Sequence, residues 1–127
     1  MTTASRVENR HASENEILTS ATLRAAEFLM IRNKELAEII GVSPSMVSKI
    51  KNGNAVLPKD TKTIELSKFF LRMYRSLDAI VGGNDTVAAA WLRNENTALD
   101  GVPIELISTI RGLFRVTAYL DQRRAPL

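Results

Sequence analysis

Asn33-Lys-Glu-Leu-Ala-Glu-Ile-Ile-Gly41-Val-Ser-Pro-Ser-Met-Val-Ser-Lys-Ile-Lys-Asn-Gly53 is the stretch from which the rest of the chain is read. It predicts two short helices joined by a tight turn. Leu36, Ala37 and Ile40 recur at helical spacing on one face of the first helix, and Asn33 stands where a cap would. Gly41 follows at once, where a helix end commonly needs a left-handed residue. Val42 dips between the helices. Ser43 is suited to an N-cap, and Pro44 to the first helical position, where its missing N–H costs nothing. Met46, Val47 and Ile50 give the second helix a buried face, and Asn52-Gly53 ends it.

Ala37 sharpens this reading, because a small residue lets two steeply crossed helices approach. A small residue, a glycine four residues on, then apolar residues at Val47 and Ile50 form the helix-turn-helix pattern of repressors. An ordinary helical hairpin shares much of it. The outer face of the second helix favours DNA, since it offers Ser45, Ser48, Lys49 and Lys51 and no carboxylate. Ser45 and Lys49 are assigned to base edges; Ser43, Ser48, Lys51, Asn52 and Asn54 are placed nearer to phosphates. Pro44 stands where many repressors carry a polar side chain, which reduces the number of base contacts.

The distribution of charge agrees. The chain has 127 residues and a net charge of only +3. Within Ser43–Arg75, however, 7 Lys+Arg face 2 Asp+Glu, a balance of +5, whereas from Gly82 onward 5 face 5. The basic excess thus lies on the second motif helix and the segment C-terminal to it, as a DNA-facing surface requires. With 45% apolar residues and 24% charged, the composition is that of a globular protein with enough chain for a core. No cysteine is present, which excludes a disulfide framework or thiolate metal site. No signal-peptide core or run of membrane-spanning length is found, and the expectation is a cytoplasmic protein.

Around the motif the chain reads as all-α. Residues 1–15 carry little to bury and are expected to form a flexible tail; it holds His11, the only histidine, with no partner chemistry. Ile17 to Ile31 predicts an amphipathic helix with Ile17, Leu18, Ala21, Ala25, Phe28 and Leu29 as its apolar stripe. After a loop anchored by Val56 and Leu57, Thr61 to Val81 predicts a long helix. Its apolar stripe is wide enough either for full burial or for an exposed remainder that meets a dimer mate or second domain. Gly82-Gly83 marks a boundary, with Asn84 or Asp85 capping a helix that runs to Arg93. Pro103 opens a further helix with Ile104, Leu106, Ile107 and Ile110 as its apolar face. Gly112 either splits it from a last helix or admits another backbone. The expected division is therefore 1–15 tail, 16–81 helix-turn-helix and dimerisation domain, and 82–127 second helical domain. No histidine–carboxylate cluster, phosphate loop or catalytic triad is legible, so neither catalysis, metal nor cofactor is expected.

The second half resembles a known family. Ala89-Ala90-Trp91-Leu92-Arg93, Asn96, Ala98-Leu99, Gly101, Pro103-Ile104-Glu105-Leu106-Ile107, Gly112, Val116 and Tyr119-Leu120 are similar to the toxin-binding domain of Xre/MbcA/ParS antitoxins. Leu36-Ala37, Gly41, Ser43, Val47-Ser48 and Gly53 extend the resemblance into the first half. It implies a repressor-like helix-turn-helix bundle followed by a small toxin-binding domain. It also implies a RES-type toxin partner that consumes NAD⁺ and whose active site the antitoxin blocks. Operator DNA for autorepression and a homodimer complete the implied partners. Trp91, Leu92, Ile104 and Leu106 suit a core, so toxin contact is assigned to Arg111, Arg115, Arg123, Arg124 and Leu127. The alternative is a stand-alone dimeric repressor whose second half has no toxin partner.

Overall fold

The computed structural model describes residues 13–124; His11, Leu127 and most of the expected tail lie outside them. Among the described residues the fold is seven helices and no strand, so the all-α expectation holds. The first helix, α1 (Glu14–Phe28), starts inside the region expected to be tail, because the Ser13 hydroxyl accepts the Glu16 N–H at 3.1 Å and caps it. Its rotation is set by polar contacts with the loop that precedes the long helix. Thr19 Oγ1 accepts the Leu57 N–H at 3.0 Å, and the Asn15 amide donates to the Leu57 carbonyl. Those bonds turn Thr19, Thr22, Ala25 and Ala26 inward. The expected stripe is divided as a result: Ala25 and Leu29 are buried, whereas Ile17 is 59% and Phe28 38% exposed. Leu57 is a core residue, but Val56 faces solvent.

Helix α2 (Asn33–Ile40) buries Leu36, Ala37, Ile39 and Ile40. Its cap position falls on Arg32, whose N–H is accepted by Glu35 Oε1 at 2.9 Å. Asn33 is the first helical residue, and its side chain accepts instead from Lys51 Nζ at 2.7 Å. Gly41 takes the left-handed conformation at φ 76°, which ends α2 and sends the chain into α3 (Pro44–Lys51). The Ser43 hydroxyl accepts from the Met46 N–H at 3.1 Å; Val47 and Ile50 are buried, and Met46 only half so.

Helix α4 (Thr61–Ile80) is the spine of the molecule. Phe70, Met73 and Leu77 are fully buried along it, and α1, α2 and the last helix all pack against it. Gly82 and Gly83, both at positive φ, turn the chain into α5 (Asp85–Arg93), which is capped by Asn84. A loop closed by an Asn96–Gly101 bridge leads to α6 (Pro103–Leu106), and α7 (Ile110–Arg124) returns along α4. The helical break falls at residues 107–109, ahead of Gly112. Gly112 itself lies where a Cβ would come 1.7 Å from the Leu106 carbonyl oxygen, so it serves close backbone approach. One hydrophobic core runs from Ala25 to Leu120 across the double glycine.

Among the described residues, two ion pairs bind the second half to the first. Asp121 of α7 accepts from Arg72 and Ser76 of α4, each at 2.6 Å. Partial burial acts to raise its pKa, but those donors outweigh it and the carboxyl lies below its ordinary value. Arg93, at the end of α5, donates to both Glu35 oxygens at 2.5 and 2.7 Å and to the carbonyl of Met30, which is held at φ 56°. The Arg93 hydrogen bonds lower the Glu35 pKa against a smaller opposing effect of burial. Arg93→Ala should lower stability by about 1 kcal/mol near neutrality, as expected for a half-exposed bidentate pair. A lowered folded-state pKa makes this contribution complete above the ordinary Glu value of 4.5 and lost as pH falls through the folded value. Urea midpoints of the two proteins should therefore converge below that pH; a constant gap would show that Glu35 is not the partner that matters.

Candidate functional site

Two exposed surfaces carry the residues that sequence reasoning selected. On α3, a turn of 3.6 residues brings Ser45, Ser48, Lys49 and Asn52 to one face, opposite the buried Val47 and Ile50. All four are exposed, and α3 carries no carboxylate. Ser43 and Asn54, also exposed, stand at the two ends of the helix. The Ser43 oxygen already serves as the cap acceptor, which leaves its hydroxyl proton free to donate. Lys51 does not share the face: it turns toward α2, where Asn33 holds its ammonium. The surface can thus offer short hydroxyl and amide groups flanked by a lysine, which suits base edges and phosphate oxygens.

The second surface is built on α7. Leu113, Val116, Thr117 and Leu120 face the core, which leaves Arg111 and Arg115 exposed one turn apart on the outer side. Phe114, between them in sequence and beside them on the helix, is 62% exposed; Ile110, one turn earlier, is 60% exposed. Phe114 is not loose. Its ring stacks on Phe69 of α4 at 5.3 Å between centroids, and the Arg72 guanidinium sits 5.8 Å from the Phe69 ring centre. Between these helices runs a groove of about 450 Å³, with Leu66, Phe69, Ile110, Leu113 and Phe114 along it and Asp60, Lys62 and Glu65 at its α4 side. Aromatic side chains presented on a rigid helix beside arginines are typical of the anchoring centre of a protein interface.

The remaining arginines stand elsewhere. Arg123 lies over the Tyr119 ring at 4.8 Å, and Tyr119 stacks on Trp91 at 6.4 Å, near the far end of α7. That end is about 18 Å along the helix from Arg111. Arg124 turns to the α4 side and donates to Ser76 Oγ at 3.3 Å. The structure therefore brings Arg111 and Arg115 together, adds Phe114 and Ile110 to them, and separates Arg123 and Arg124. In the sequence, Ile110, Phe114 and Phe69 read as ordinary apolar positions. A signal for them does exist: on a helical projection of α7, Ile110 and Phe114 fall beside the arc of Leu113, Val116 and Leu120, so one neighbour cannot cover both groups. Among the described residues, no helix is long and apolar enough to cross a membrane.

Residues 76–125 match the antitoxin Xre/MbcA/ParS C-terminal toxin-binding domain. The matched segment opens in the last turns of α4 and takes in α5, α6 and α7, so Trp91, Arg111, Phe114, Arg115, Arg123 and Arg124 all fall within it. No curated protein matches the chain.

Proposed function

We propose that this chain, a member of the Xre/MbcA/ParS antitoxin family, neutralises a RES-type toxin by docking on it through the α7 surface. In this reading bound antitoxin closes the toxin's active site and preserves NAD⁺. The observation that carries the docking surface is the exposed Phe114 on α7, flanked by Arg111 and Arg115 inside the toxin-binding domain. The exposed aromatic and Ile110 supply apolar area to bury, and the arginines supply orientation and attraction to an acidic partner surface. The RES identity of the partner and its use of NAD⁺ rest on the resemblance of the Trp91-Leu92-Arg93 and Pro103-Ile104-Glu105-Leu106 motifs to this family. Arg123 and Arg124 extend the proposed contact at the far end of α7, and Leu127, which lies outside the described residues, is assigned to it from the sequence alone.

The α2–α3 pair is assigned to operator DNA, acting in the cytoplasm as an autorepressor, and the protein is assigned a homodimeric state that presents two copies of α3. The support is the carboxylate-free face of α3 and the basic stretch C-terminal to it. Lys49→Ala should cost about 1–3 kcal/mol of operator affinity and relax sequence preference at one position. Fluorescence anisotropy on operator and scrambled duplexes at fixed salt reads both effects; an equal loss on every duplex would make Lys49 a phosphate contact instead.

Co-expression with the product of the adjoining gene tests the whole reading. The expected result is a co-purifying complex and cellular NAD⁺ that is preserved only when this chain is present. No complex and no effect on NAD⁺ would leave a stand-alone repressor.

A further inference from the structure

The first turn of α2 is held by hydrogen bonds rather than by packing. Between the buried Ile31 and Leu36 it buries no apolar side chain. A cleft of about 390 Å³ lies beside it, lined by Met30 and Arg32 of the α1–α2 turn and by Thr86, Ala89, Ala90 and Arg93 of α5. Arg93 reaches both oxygens of Glu35 and the Met30 carbonyl. Met30 stands at φ 56°, a conformation that a residue with a side chain keeps only where its surroundings hold it. Glu35 passes the restraint on, because its Oε1 also accepts the Arg32 N–H that opens α2. The next residue, Asn33, accepts from Lys51 at the end of α3. One run of polar contacts thus leads from the last residue of α5 to the first turn of α2 and the last turn of α3.

We propose that Arg93 is a positioning residue for DNA recognition: from the toxin-binding domain it sets the angle at which α3 meets the operator. Arg93 itself touches no DNA in this role, which rests on the assignment of α3 to the operator and not on the identity of the toxin. Helix α3 packs against α2, and α2 against α4, so a shift at the first turn of α2 is carried to α3. Side chains that read base edges must be held within about 0.5 Å and 10–20° of their working geometry. Contacts to phosphates carry no sequence information and supply most of the non-specific affinity. Loss of Arg93 therefore costs preference for the operator and leaves general affinity for DNA. The other ion pair, between Arg72 and Asp121, joins α4 to α7 and involves neither α2 nor α3, which makes it the control.

Fluorescence anisotropy on the full chain tests it, with a duplex from the promoter region of its own gene and a scrambled duplex at fixed salt. The quantity read is the ratio of the two affinities. Arg93→Ala and Glu35→Ala should each lower that ratio by about tenfold, and the double variant by about the same factor, because either single change already breaks the pair. Arg93→Lys keeps the charge but not the forked geometry, and should return the ratio to within about threefold of the parent. Asp121→Ala removes the same charge as Glu35→Ala and should leave the ratio within about twofold of the parent. Arg93→Ala and Glu35→Ala change the net charge in opposite directions, so a purely electrostatic effect would move their affinities apart. Thermal melting by circular dichroism confirms that each variant is folded at the assay temperature. A ratio unchanged in Arg93→Ala, or lowered as far by Asp121→Ala, would overturn the positioning role and leave α3 on the operator. A parent that binds both duplexes equally would overturn the assignment of α3, and this role with it.

Discussion

Gly112→Ala should lower the unfolding free energy by about 3 kcal/mol or more, the largest effect expected of any single methyl group added to this chain. The added Cβ would sit 1.7 Å from the Leu106 carbonyl oxygen and 3.0 Å from Thr109 Oγ1. A backbone carbonyl cannot swing aside as a side chain can, so α6 and α7 must separate. The cost extends beyond the clash. Thr109 Oγ1 accepts the Gly112 N–H at 3.0 Å, and α7 carries Leu113, Val116 and Leu120 into the core. Gly101→Ala is the control. Its Cβ would meet only the side-chain carbons of Leu106, at 3.2 Å and beyond, and no fixed backbone atom. Its expected cost is about 1 kcal/mol. Urea denaturation of both variants checks the contrast; equal midpoints would mean that the α6–α7 approach does not constrain the fold.

Phe114→Asp should weaken toxin binding by about 100-fold while lowering stability by only about 1–2 kcal/mol, which leaves the protein folded. The modest loss of stability is expected from position: Phe114 is mostly exposed and gives up chiefly its stack on Phe69. The loss of binding is expected from chemistry. Burying an aromatic side chain at an interface removes a large apolar area from water, and an aspartate there instead leaves a buried carboxylate to be desolvated. Arg111→Ala and Arg115→Ala should each cost less, because charges at an interface rim change association rate more than affinity. Titration calorimetry against the co-purified toxin reads the affinities. Full affinity in Phe114→Asp, with Arg123→Ala and Arg124→Ala impaired, would move the docking surface to the other end of α7.

Much of the helical order is legible in the sequence because local chemistry marks it. Gly41, Ser43-Pro44, Asn84 and Pro103 each end or begin a helix as capping rules require. Those rules do not reach the rotation of a helix about its own axis where polar contacts decide it. Apolarity alone marks the α1 stripe, yet Thr19 and Asn15 bond the backbone of Leu57, a partner 38 and 42 residues away, and so fix which side is buried. Asn33 is displaced as a cap by Glu35, which reaches back to the Arg32 N–H, and becomes the partner of Lys51 instead.

The candidate surfaces are legible to different degrees for a related reason. On α3 the polar face is defined by the helix alone, because Val47 and Ile50 leave no choice of orientation. On α7 the arginines are visible in the sequence, but the exposed aromatic between them is not. Phe114 reads as core until α4 is seen to cover only the neighbouring arc. Arg124 likewise reads as a free tail cation until Ser76 is found beside it.

Hydroxyl-radical footprinting of the toxin complex reads the α7 contact itself. Phe114 should be modified readily in the free protein and protected in the complex, together with Ile110. Met30, 70% exposed and outside the α3 and α7 surfaces, should react alike in the two states. A Phe114 that remains as reactive in the complex as in the free chain, with protection on the α3 face instead, would remove the toxin from α7 and place it where DNA was assigned.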